Sequence, residues 1–170
     1  MPNTTDILTA IPALAELSRE SLSPLASLAR ERSYAPGQMI ASEGEPCTDV
    51  LWVGRGLVRL SQLSAEGREN VLAYLGPGEC LNLSAALDGG EHLATADAAT
   101  EALIYAIPAG AFADLARRDA ALSYAVATLL AREVRRLTAT VKELALHPVR
   151  ARLARFLLGH AENTPPQRHW

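Results

Sequence analysis

Apolar positions recur along this chain with two different rhythms, helical at both ends and strand-like between. Leu14, Leu17, Leu22, Leu25 and Leu28 return at roughly helical spacing. They predict N-terminal helices over residues 1–30. Ser18, with Glu20 close behind, marks the start of a second helix. Pro12 and Pro24 fit first-turn positions rather than helix interiors.

The rhythm then shortens. Glycines stand at 37, 44, 56, 67, 78 and 89, the last four spaced by 11. Strand-like runs lie between them at Gln38–Ser42, Val50–Val53, Leu57–Leu63, Asn70–Leu75 and Cys80–Leu83. Two more follow at Leu93–Ala98 and Ala102–Ile107. Pro-Gly at 36–37 and 77–78, and Glu-Gly at 43–44 and 66–67, are turn signals. Short strands with regular turns predict a sandwich, jelly roll or barrel over residues 31–107. Helical spacing returns at Pro108, which opens a short helix. A long helix over about Ala120–Leu146 follows, so residues 108–146 are helical. Leu130, Val134, Leu137, Val141 and Leu144 step along it by four and three, a narrow seam suited to pairing with a second helix. The plainer use of such a seam is to cover the β region. The length of the helix favours a homodimer. Arg132, Arg135, Arg136 and Lys142 lie off the seam. His147-Pro148 ends the helix, and Val149, Leu153, Phe156 and Leu157 share a face of the next one.

Composition narrows the class. The chain has 170 residues and 49% hydrophobic residues, enough for one packed domain with an extension. No apolar run approaches the roughly 18–20 residues that cross a bilayer, so no membrane partner is expected. The first ten residues carry no secretory signal. Cys47 and Cys80 are 33 positions apart, so a disulfide framework is not expected and a reducing cytoplasm fits. The net charge of −3 conceals a split. Residues 1–116 hold 6 Lys/Arg and 15 Asp/Glu, a balance of −9; residues 117–170 hold 10 and 4, a balance of +6. The basic half is either the solvated face of a helix or a segment lying next to nucleic acid.

The order of these pieces resembles the sensor half of the Crp/Fnr family of bacterial transcription regulators. The matching stretches are LTAIPALAELSRESLSPLASLAR, YAPGQMIASEGEP, GRGLVRL, EGRENVLAYLGPGE, LDGGEHLATADA and LALHPVRARLARFLL. Each is weak alone, and their succession is specific. The resemblance implies a mainly β fold with flanking helices: a cyclic-nucleotide-binding-type double-stranded β-roll (jelly roll), then a long dimerisation helix. It also implies a homodimer, and DNA bound through a C-terminal winged helix-turn-helix. That domain would begin about where this chain stops, so it is expected to be absent here. Residues 147–170 then start the connection to it.

Family members that bind cyclic nucleotides hold the phosphate in the segment corresponding to residues 81–100. Their pattern has Gly-Glu before a short apolar run, with the glutamate on the ribose. Arg-Ser or Arg-Thr follows the turn, with the arginine on the phosphate. This chain has Asn82 and Leu83 at the first pair, Leu93 and Ala94 at the second. No arginine or lysine occurs between Arg68 and Arg117. A phosphate desolvated without a cation costs several kcal/mol. Cyclic AMP and cyclic GMP are therefore expected to bind poorly. Backbone N–H groups near Ser84 remain as anion donors, and Asn82 or Ser84 is the expected cap of the short helix. The site is expected either to take an unknown small neutral or hydrophobic effector, or to be collapsed on its own side chains. Its candidate residues are Asn82, Leu83, Ser84, His92, Leu93, Ala94, Leu137 and Thr138. Thr138 matches a small hydroxyl that the family places against the ligand base, and Leu137 replaces a polar neighbour.

Cofactor chemistry finds little footing. An iron–sulfur cluster needs about four cysteines and the chain has two. Haem-sensing relatives place a ligand near Cys80 to His92, which leaves a haem-based gas sensor as a minor alternative. His160 and His169 have no zinc-like spacing, and His147 fits a surface or cap role. Only His92 falls in the roll, against the clustered histidines of a cupin-like metalloenzyme. No enzyme and no resident cofactor is expected. A cyclic-nucleotide regulatory module of a kinase or channel is the other rival, opposed by the basic C-terminal helix.

Overall fold

The structure, a computed structural model, describes residue 11, residues 14–81 and residues 83–146. Expectations for residues 1–10, Pro12, Asn82, His147, Pro148 and the rest of 147–170 lie outside the described residues. Two compact units are present, Met1–Leu130 and Ala131–Trp170.

The first helix among the described residues of the first unit is α1 (Arg19–Leu28). Ser18 caps it, its hydroxyl accepting the Ser21 N–H at 3.2 Å. Pro24 stands inside this helix, contrary to its expected first-turn place. A mid-helix proline removes one hydrogen bond and costs about 3 kcal/mol. Two features offset it. Leu22 and Leu25, on either side of Pro24, are fully buried. The carbonyl that Pro24 leaves without its helix bond belongs to Glu20, an exposed residue.

Among the described residues eight strands follow, in two four-stranded antiparallel sheets. They are β1 (Arg30–Tyr34), β2 (Met39–Ala41), β3 (Asp49–Arg55), β4 (Val58–Leu63), β5 (Glu69–Leu75), β6 (Cys80–Leu81), β7 (Thr95–Ala98) and β8 (Ala102–Pro108). One sheet has the order β1-β8-β3-β6 and the other β2-β7-β4-β5. This is the double-stranded β-roll that the family resemblance implied, and it falls within the sandwich, jelly-roll or barrel class that the short strands and turns predicted. Gly37, Gly44, Gly56, Gly67, Gly78 and Gly89 all have positive φ, between 73° and 86°. At Gly56 the need is absolute: a Cβ there would lie 2.1 Å from the Glu101 carbonyl oxygen. β1 was not foreseen, because its polar sequence RERSY has no apolar alternation. Its pairing with β8, from Arg30–Ala106 to Tyr34–Ala102, makes it a strand.

Two cores fill the unit. Leu51, Val53, Val58, Leu81, Ala96 and Ile104 pack between the sheets. The other face of the β8-bearing sheet carries Val50, Trp52, Tyr105 and Ile107. They pack against Leu22, Leu25, Phe112 and Leu122 from the helices. Each such side chain contributes about 1.5–3 kcal/mol on burial. Trp52 and Phe112 meet edge-on with ring centroids 5.5 Å apart.

The short helix α2 (Leu83–Asp88) sits between β6 and β7, and α3 (Ala109–Arg118) follows β8 with Pro108 at its cap. α4 (Ala120–Leu146) has the predicted extent. Asp119 joins the last two helices. Its backbone N–H ends α3 on Leu115 at 3.0 Å, and its side chain accepts Ala121 N–H at 2.9 Å and Leu122 N–H at 3.0 Å. Leu122, Ala125 and Val126 are buried, and Leu130 packs on the same core. In the second unit, taken by itself, every residue from Arg132 to Lys142 is exposed.

Candidate effector site

The segment that the sequence singled out runs from β6 through α2 to β7. Leu81 pairs with Leu51 in the sheet, which holds the entry to the segment. Leu83 then opens α2 and is only 8% exposed, packed in the core with Ala85 and Ala86. The helix begins at Leu83 because that start turns Leu83 and Ala86 inward together. Ser84 consequently lies inside the first turn, exposed, and is not the cap. The cap expectation for Ser84 is corrected, and Asn82 lies outside the described residues. The Gly90 N–H closes the helix on the Ala85 carbonyl at 3.0 Å and the Asp88 carboxylate at 2.9 Å.

The return limb is pinned to the turn before β3. The His92 N–H donates to the Glu45 carbonyl at 2.9 Å, and Gly44 N–H to the His92 carbonyl at 2.9 Å. The His92 ring is 9% exposed, and its Nδ1 has no hydrogen-bond partner among the described residues. Leu93 is 69% exposed. Its carbonyl accepts Gln62 Nε2 at 2.6 Å, and the same Nε2 reaches Glu43 Oε1 at 3.1 Å. Ala94 is half-buried. Thr95 offers a hydroxyl one position along, yet that oxygen accepts the Glu43 N–H at 3.2 Å. Gln62, Glu43 and Thr95 carried no signal in the sequence, since only strand register brings β4 and the 43–45 turn onto this limb.

Leu137 and Thr138 belong to the other unit. Leu137 is 50% exposed, and the Thr138 hydroxyl donates to the Val134 carbonyl at 2.8 Å. Of the seam, Val134 and Val141 are 62% and 63% exposed. The side chain of Leu144 lies outside the described residues.

The electrostatics follow from the ion pairs. Arg32 meets Asp49 at 2.8 Å and Arg55 meets Glu101 at 2.8 Å. Arg59 meets Asp97 at 3.0 Å and Glu69 at 3.1 Å, and Arg68 meets Glu66 at 3.4 Å. These four roll cations are therefore already matched by carboxylates. Burial raises the pKa of both thiols, Cys47 and Cys80, above the ordinary thiol range. Among the described residues no three His, Cys, Asp or Glu side chains cluster as a metal site.

A two-sheet roll with a helix-bearing insertion between β6 and β7, and a long helix after it, defines a class of ligand-sensing domain. The cyclic nucleotide-binding domain family matches residues 31–119. The cyclic AMP receptor protein of Thermus thermophilus is 31% identical over 147 residues, 86% of this chain and 68% of that protein. The transcriptional regulator LdrP of Thermus thermophilus is 32% identical over 127 residues, 75% of this chain and 62% of that protein. The crystal structure of the Thermus thermophilus catabolite activator protein superposes with a TM-score of 0.69 at 30% identity, covering 79% of this chain and 63% of that one. This chain belongs to the cyclic nucleotide-binding domain family, as a Crp/Fnr-type sensor domain with its following helix. These two curated relatives are named as a receptor protein and a transcription regulator, not as enzymes. The chain spans about two thirds of their length. Among the described residues no helix is long and apolar enough to cross a membrane.

Proposed function

We propose that this chain is the sensing and dimerising part of a cytoplasmic DNA-binding regulator that does not respond to cyclic AMP. One observation carries the reading. The position at which the family meets the phosphate holds the exposed side chain of Leu93, and the ribose position holds Leu83, turned into the core. Four roll arginines that an anion might have borrowed are paired with carboxylates. An anionic messenger would lose its hydration and gain no opposite charge. The effector, where there is one, is a neutral or apolar small molecule in contact with Leu83, Ser84, His92, Leu93 and Ala94. DNA contact belongs to a C-terminal domain beyond this chain.

The relative named for cyclic AMP supports the opposite reading, and the experiment decides between them. Titration calorimetry with cyclic AMP should give no heat at micromolar concentrations; saturable micromolar binding would overturn the proposal. Native mass spectrometry of the same sample should show the dimer mass together with any retained ligand.

The seam of Leu130, Val134, Leu137, Val141 and Leu144 is the proposed dimer contact. Its support is the exposed branched side chains of Val134, Leu137 and Val141 along one helix, which water solvates poorly; Leu130 also packs on the core of the first unit.

A further inference from the structure

The outer face of the β2-β7-β4-β5 sheet carries none of the candidate effector residues. Register places Met39, Asp97, Arg59 and Tyr74 in one row across its four strands. The next row holds Thr95, Ser61 and Val71, and the one after it Leu63 and Glu69. The neighbouring positions Val58, Ala96 and Ala98 point the other way, into the core. The face is apolar at its edges: Met39 is 57% exposed, Leu63 70%, Val71 47% and Tyr74 53%. At its centre one guanidinium, Arg59, is shared by two carboxylates, Asp97 at 3.0 Å and Glu69 at 3.1 Å. The centre therefore keeps a surplus negative charge. Of the two, Glu69 is the more open, with its side chain 43% exposed against 15% for Asp97.

We infer that this face docks a protein segment presenting a lysine or arginine between apolar side chains. The cation answers the carboxylate that Arg59 leaves half-matched. The apolar side chains cover Tyr74 and Val71 on one side and Leu63 on the other. An apolar rim around a charged centre recognises such a partner by sign as well as by shape. The balance of −9 over residues 1–116 adds long-range attraction for the same sign of partner.

The test uses the full chain and three labelled ten-residue peptides, read by fluorescence anisotropy. One alternates lysine with valine and phenylalanine, one replaces its lysines with glutamate, and one replaces its apolar residues with serine. The lysine–apolar peptide should bind at least about tenfold more tightly than either control, and its affinity should fall as salt rises. Val71→Ser with Tyr74→Ser should abolish the preference, and Glu69→Gln should flatten the salt dependence. All three positions are solvent-facing, and an unchanged melting curve would verify folding. Equal binding of the lysine and glutamate peptides, or a preference untouched by both variants, overturns the inference. Concentration-dependent self-association that Val71→Ser with Tyr74→Ser removes, in a background where the α4 seam is already broken, also overturns it, because a second copy would then be the occupant.

Discussion

Replacing Asp119 by alanine tests how firmly α4 is anchored at its start. One carboxylate oxygen accepts two helix N–H groups, from Ala121 at 2.9 Å and Leu122 at 3.0 Å. The side chain also bonds Ser21 in α1, so α1 and the beginning of α4 share this residue. Losing an N-cap of this type costs about 1 kcal/mol, within a range of about 0.5–2. For a chain of this size that is about 2–4 °C in melting temperature per kcal/mol. The Ser21 bond, then the Leu122 and Ala121 N–H groups, hold the Asp119 carboxyl below the usual carboxylate range. A depressed pKa stabilises the fold above the unfolded value, near 3.9, and that contribution disappears as pH falls through the folded value. Three proteins, wild type, Asp119→Ala and Asp119→Asn, should be melted by circular dichroism at pH 7 and at a series of acid values. Alanine should lower the pH 7 midpoint. Asparagine, which also caps, should lower it less. The gap between wild type and asparagine should close as pH drops below 4. An alanine variant that melts with the wild type at pH 7 would refute the anchoring role, and a gap that widens in acid would refute the sign.

Other consequences are equally direct. Gly56→Ala forces a residue into φ +85° and drives its Cβ to 2.1 Å from the Glu101 carbonyl oxygen, so a loss above about 2 kcal/mol is expected by urea denaturation. Phe112→Ala removes the ring packed edge-on against Trp52 and should cost about 3–5 kcal/mol, with a change in Trp52 fluorescence reporting the opened core. Val134→Glu with Val141→Glu should give a monomer in sedimentation velocity while the roll keeps its melting transition, and a persistent dimer would reject the seam. Leu93→Arg with Leu83→Glu should not bring tight cyclic AMP binding, because Leu83 is 8% exposed and a carboxylate there disturbs the core before it meets a ribose; calorimetry with tight cyclic AMP binding would contradict this account of the site.

Much of the architecture was legible because it depends on local chemistry. A glycine is the cheapest residue at positive φ, so six glycines at turn spacing marked six left-handed positions before any strand was paired. Ser18, with Glu20 close behind and an apolar helical rhythm after it, marked a helix start, and its hydroxyl caps α1. The four-three stepping of α4 depends only on helical pitch. The missing cation was legible too, since a stretch without arginine or lysine cannot supply one from its own side chains. Other features arise only when distant segments meet. RERSY becomes a strand because β8 lies beside it, and Pro24 stays helical because Leu22 and Leu25 are buried around it. Leu83 and Leu93, alike as letters, part ways: one fills the core and the other faces water. The pairing of Arg32, Arg55, Arg59 and Arg68 with Asp49, Glu101, Asp97 and Glu66 is likewise visible only in the folded chain. Local preferences are written residue by residue, whereas burial and charge pairing belong to neighbours that the chain acquires only by folding.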